Sequence, residues 1–394
     1  MADKLMSSTS NQLTPDKVLM NTSALIASLK EDTIAIFLSV FILVIIILAV
    51  VYAHYHSPGV MIPSECGTLD NLYGTIDGKI SSLNSNDPNC QYNLRDYYIK
   101  TAYNCCSIGQ YKNDYVSICA LKDILKQGVR CLDFEIYSVN DQPVVATSTQ
   151  DSNFVKETYN YVSFSDVLQV VQNYAFSGGS CPNPSDPLIF HLRIKSTNQN
   201  MYQNFANLLK QYDQLFLGPE SSFENAGNNL AATPILQLCN QKKVIVIVER
   251  LNDSNNSYMD NNDFYEYINI VSNSMFARAL HYYDVANTPD LTELQEYNKL
   301  NMTIAMPDIG ANPTNPNTIV CRAMGCQMVA MRYQQFDSFL EEDTLYFDET
   351  GYAFCLKPEK LRYIEKTIPD PTPPNPAVSY ATRTIATNYY SFNV

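Results

Sequence analysis

The chain has 394 residues, 46% of them hydrophobic and 17% charged. That is enough apolar material for one large or two medium domains, and it excludes a wholly disordered chain. With 26 basic residues against 40 acidic ones the net charge is −14, which argues against nucleic acid as a partner and against polybasic adhesion to anionic lipid.

From the N-terminus, a tail over 1–32 leads into TIAIFLSVFILVIIILAVVYA at 33–53. Twenty-one residues at ~1.5 Å each span about 30 Å, the thickness of a bilayer's hydrocarbon core. A buried core helix would carry a polar stripe, yet only Ser39 interrupts this one. A cleaved signal peptide would have a shorter apolar part nearer the start. The segment reads as a single transmembrane anchor. Lys4, Lys17 and Lys30 precede it and the next basic residue is Lys79. This asymmetry predicts a cytoplasmic N-terminus and a lumenal or external body. Sequons at Asn252, Asn255 and Asn301 fit that side, or are chance in so Asn-rich a chain.

Residues 54–94 read as a tether, rich in Gly, Pro, Ser and Asn from 57 onward. The body then alternates strand and helix signals. Strands are predicted at 131–137, 187–193, 243–249 and 327–333, with helices at 116–128, 163–176 and 201–212. Such alternation predicts a parallel sheet with covering helices, doubly wound or closed into a barrel. No G-x-G-x-x-G or P-loop supports nucleotide binding. A polar insertion at 252–263 splits the body. A Pro-rich linker and tail occupy 366–394.

No C-x-x-C pair occurs among eleven cysteines, which argues against structural zinc. Cys131 and Cys326 lie in apolar runs and read as buried thiols. Cys66 with Cys90 is the expected disulfide if the compartment oxidises. Of four histidines, His54 and His56 flank the anchor. His191 reads as a satisfied barrel histidine. His281 ends a stretch that reads as helical, SMFARALHYYD, and is expected at the surface or as a cap.

GCQMVAMRYQQFD at 325–337 and GYAFCLKPEKLR at 351–362 resemble the Y-region of phosphoinositide-specific phospholipase C, as does LQEYNKLNMTIAMP at 294–307. LKQGVRCLDFEIYSVNDQPVVATST at 125–149 resembles the X-region of the same family. The resemblance implies an α/β fold, a distorted TIM-type (β/α) barrel behind a single N-terminal transmembrane helix. Its X-like half would occupy 95–251 and its Y-like half 264–365.

In that family two histidines and a calcium ion cleave a phosphodiester. Here Tyr103 and Thr149 stand at the histidine positions, and neither titrates near neutrality. Asn104, Asp133 and Glu135 match the calcium-ligand positions, but the fourth ligand, a glutamate, aligns with Arg193. Alternatively Asp133 and Glu135 merely pair with Arg193 or Arg130. The basic and tyrosine groups that hold inositol phosphates align with Ile247, Glu249, Ile304 and Met306. The resemblance therefore implies a membrane-anchored, catalytically degenerate barrel with a binding or structural role, its lipid or protein ligand left open. The alternatives are an active, cation-dependent phosphodiesterase with altered chemistry, for which calcium is the candidate ion, and a purely structural barrel. The Trp-free composition, rich in Asn, Tyr and Ile, points to a compositionally biased genome such as that of a large DNA virus, which would put the barrel on a virion surface.

Overall fold

The computed structural model describes residues 15–152, 154–223, 230–239, 241, 243–250, 260–365, 369–372 and 382–394. Most of the polar insertion, with Asn252 and Asn255, and much of the Pro-rich linker lie outside the described residues.

Eight parallel strands form the body: β1 (Tyr97–Ala102), β2 (Cys131–Val139), β3 (Leu188–Ile194), β4 (Val244–Glu249), β5 (Ile270–Ser272), β6 (Ala277–His281), β7 (Met302–Met306) and β8 (Met328–Met331). Their ladders run β5-β4-β3-β2-β1-β8-β7-β6, so the ring is open only between β5 and β6. Alternation along each strand divides the core in two. Cys131, Ile189, Ile245, Ile247, Ile304, Met328 and Ala330 fill the barrel interior. Leu132, Phe134, Phe190, Val246 and Val248 face outward, against Leu121, Val167 and Phe205 of the covering helices. Burial on both faces is why several of these strands read as continuous β-branched runs.

Predicted elements β2, β3, β4 and β8 lie where the sequence puts them, within two residues. Helix α3 (Ile118–Lys126) is capped by Ser117 and ends before Gly128, whose φ of +74° suits glycine. Ser163 caps α4 (Phe164–Val170), which runs on as a π turn to Ala175, and Asn198 caps α5 (Gln199–Gln211). Residues 277–281 correct the sequence reading: the stretch with helical composition is β6, paired residue for residue with β7. Ladder pairing outweighs the helix propensity of Ala, Arg and Leu there.

The apolar N-terminal helix α1 (Pro15–Tyr55) includes Ala27–Tyr55, long and apolar enough to cross a membrane. The following segment is more than a tether. Pro58–Tyr73 forms α2, which buries Leu69 and Tyr73 and packs on α3. The expected Cys66–Cys90 bridge is not formed: Cys66 bonds Cys119 across the α2–α3 contact, and Cys90 is free and buried. Packing α2 on α3 brings Cys119, on the first turn of α3, beside Cys66. Cys131 and Cys326 are buried free thiols, as expected. The Asn301 sequon lies at the start of β7, with the Thr303 hydroxyl buried and donating to Asn298.

Candidate active site

In a (β/α)8 barrel the polar side chains that can do chemistry collect at the C-terminal ends of the strands. Here β2 brings Asp133 and Glu135 to that end on its inward face. β3, paired in register, sets His191 opposite Asp133 and Arg193 opposite Glu135. Asn104, just past β1, adopts φ of +46°, a left-handed conformation that asparagine tolerates, and its N–H donates to Asp133 Oδ1 at 3.1 Å.

The Arg193 guanidinium lies at the centre of this group. Its Nε and Nη2 donate to the two oxygens of Asp133 at 3.0 and 2.8 Å. Nη1 donates to Glu135 Oε1 at 2.7 Å, and Nη2 also donates to Asn104 Oδ1 at 2.8 Å. All four residues are at most 2% exposed. The remaining carboxylate capacity is also used. His191 Nδ1 lies 2.7 Å from Asp133 Oδ2, while Glu135 Oε2 accepts from the Tyr137 hydroxyl and from the N–H and hydroxyl of Ser148. Burial alone would raise the Asp133 pKa, but Arg193 and His191 outweigh it and hold the group below the ordinary carboxylate range. Arg130, the other predicted partner, donates instead to the main-chain carbonyls of Ala175 and Asn183.

A calcium ion would need several converging oxygens. Those of Asn104, Asp133 and Glu135 are bound to a guanidinium that brings its own charge, so these residues do not fit the ion. Among the described residues no group of three or more His, Cys, Asp or Glu side chains is placed to hold a metal.

Tyr103 is buried, its ring 4.4 Å from the Arg193 guanidinium carbon, and burial keeps its hydroxyl pKa well above the usual tyrosine value. Thr149 donates its hydroxyl and N–H to Glu157. Ile247, Ile304 and Met306 sit in the apolar barrel interior. Glu249, at the end of β4, is buried, and that burial raises its pKa.

His281 takes the N-cap position of a short helix at 282–286, one of its expected places, though not with its side chain. Its ring turns into the mouth. Nδ1 is 2.7 Å from the Pro307 carbonyl and Nε2 is 2.6 Å from Asp151. Asp151 lies on the loop that follows the hairpin of β2 and the strand Gln142–Ala146. Asn140 and Asp141, both at positive φ, make its two-residue turn. Neither Asp151 nor its contact with His281 was found from the sequence, because no local motif joins residues so far apart. About 10 Å³ of space remains between Tyr103, Glu135, Asp151, His281 and Ile309, room for a single water. A hollow of about 610 Å³ lies elsewhere, between Tyr52 and His56 at the end of α1 and Lys112, Tyr115 and Tyr159.

Residues 90–250 match the family model for the X domain of phosphatidylinositol-specific phospholipase C. Crystal structures of PLC21 from S. officinalis and from L. pealei superpose with TM-scores of 0.52 and 0.54, each at 17% identity. This is a phospholipase C-like barrel. The superpositions cover 71% and 70% of the present chain but only 39% and 38% of the two PLC21 chains. No curated protein matches the chain. The family-model match ends at 250, and strands β5–β8 continue the nearly closed ring beyond it.

Proposed function

We propose that this is a membrane-anchored phospholipase C-like protein that is catalytically silent and acts by binding or as a structural membrane component. One observation carries the reading: the Arg193 guanidinium fills the space among Asn104, Asp133 and Glu135 that a catalytic cation would need. A fixed cation cannot exchange ligands or polarise an incoming phosphate as an open metal site does. The positions where the resemblance puts catalytic histidines supply no proton-transfer group either. Tyr103 and Thr149 do not titrate near neutrality, and both nitrogens of His281 already face acceptors.

The apolar helix Ala27–Tyr55 supports anchoring. The Cys66–Cys119 bridge, two residues partly open to solvent, supports placing the barrel on an oxidising side of the membrane, with the N-terminus cytoplasmic. The test is turnover. The full-length protein in nanodiscs, with calcium, is assayed against phosphatidylinositol and against a soluble phosphodiester. No turnover is expected. Calcium-dependent hydrolysis that disappears in Asp133→Asn would overturn the proposal in favour of an active phosphodiesterase.

A further inference from the structure

The contact between Asp151 and His281 has no part in the silent cation site. A carbonyl oxygen and an ionised carboxylate can only accept hydrogen bonds, so with Pro307 on one side and Asp151 on the other both ring nitrogens carry protons, and His281 is an imidazolium. A second cation meets the same loop residue. Lys195, with its side chain fully buried at the end of β3, donates to the Asp151 main-chain carbonyl and stands 3.9 Å from its Oδ1. One carboxylate on a surface turn is thus seated between two cations fixed at strand ends from opposite halves of the barrel. The side chains of Asp151 and His281 are 33% and 18% exposed, so solvent reaches both partners.

The surroundings fix the charge that suits this seat. Glu135 and Asp308 line the same mouth, and Glu249 is close enough to Lys195 and Asp151 to interact electrostatically. Arg193 adds a positive charge but is bound to Asp133 and Glu135. A doubly charged phosphate would face these acids with two cations, whereas a singly charged, planar carboxylate matches the group now in place.

We propose that the barrel mouth is a carboxylate-binding site and that Asp151 is its tethered occupant. A ligand with a free carboxylate, a small acid or an acidic side chain, takes its place against His281 and Lys195 when the turn lifts. The proposal deepens the binding role given above and rests on it. The tether puts Asp151 at an effective concentration of roughly millimolar or more, so a single carboxylate competes poorly until Asp151 is removed.

The experiment uses the full-length protein in micelles, with the imidazole carbon resonance of His281 followed against pH and assigned by its loss in His281→Gln. The wild-type pKa is expected above the ordinary histidine value. Asp151→Gly, which removes the hydrogen bond and the negative charge that raise it, should lower it. Acetate, which fills the space of the lost side chain, should restore it saturably. Chloride and inorganic phosphate should not, and Lys195→Met should weaken the acetate response several-fold. Asp151→Ala with formate repeats the test with a smaller cavity if the glycine variant does not fold. An acetate response no greater than that to chloride, or a stronger response to phosphate, overturns the proposal. Calcium-dependent hydrolysis would overturn catalytic silence and leave the acetate result standing, so the two failures are distinguishable.

Discussion

Replacing Arg193 by the residue type that the resemblance implies at its position gives the sharpest test of the cation site. In Arg193→Glu, Asp133 and Glu135 lose the guanidinium and meet a third carboxylate, with all groups buried. Removing one partner from a buried ion pair costs about 3–5 kcal/mol. At about 2–4 °C per kcal/mol for a domain of 150–250 residues, the variant without metal should melt roughly 6–20 °C below wild type. The same change completes an oxygen-rich set with Asn104, so calcium should now bind. At about 100 times its Kd it would return about 2.7 kcal/mol. The assay is thermal unfolding of both proteins with and without calcium. Wild type should be indifferent to the ion, and the variant should be unstable without it and recover with it. A wild-type barrel stabilised by calcium, or a variant as stable as wild type without it, would refute the reasoning.

Other consequences follow from the same geometry. Burial lowers the His281 pKa, but its hydrogen bond and attraction to Asp151 outweigh this and raise it. Its contribution is therefore complete below the unfolded value near 6.5 and is lost as pH rises through the folded one. Asp151, pulled to about 2 chiefly by His281 against the effect of burial, contributes above about pH 4 and loses that contribution as pH falls toward 2. Hydrogen exchange of the Asp151 turn should therefore be slowest, relative to intrinsic rates, between about pH 4 and 6.5, and His281→Gln should abolish the upper limb. Opening the Cys66–Cys119 bridge, which spans 53 residues, should cost about 4 kcal/mol by the loop-entropy model. Non-reducing peptide mapping should find Cys66 joined to Cys119, with Cys90 free. Tyr103→His combined with Thr149→His should restore no phosphodiesterase activity while Arg193 remains, as an assay of the double variant would show.

The sequence was informative where burial is uniform. β2, β3 and β4 are β-rich runs buried on both faces, and pairing of Asp133 and Glu135 with Arg193 was one of the readings their sequence offered. β1 was hidden by Lys100, which is fully buried with its ammonium 3.8 Å from Asp77. β6 was hidden by residues that favour helix, and α2 by Pro63 within it. The disulfide was misread because nearness in sequence does not reveal that α2 packs on α3. The contact between Asp151 and His281 joins a loop of the first half to a strand end of the second, 130 residues apart, and only barrel closure brings them together.

The most direct measurement is a calorimetric titration of the full-length wild-type protein with calcium. With the Arg193 guanidinium bound to the oxygens of Asn104, Asp133 and Glu135, no saturable heat is predicted. Stoichiometric binding that disappears in Asp133→Asn would contradict the account.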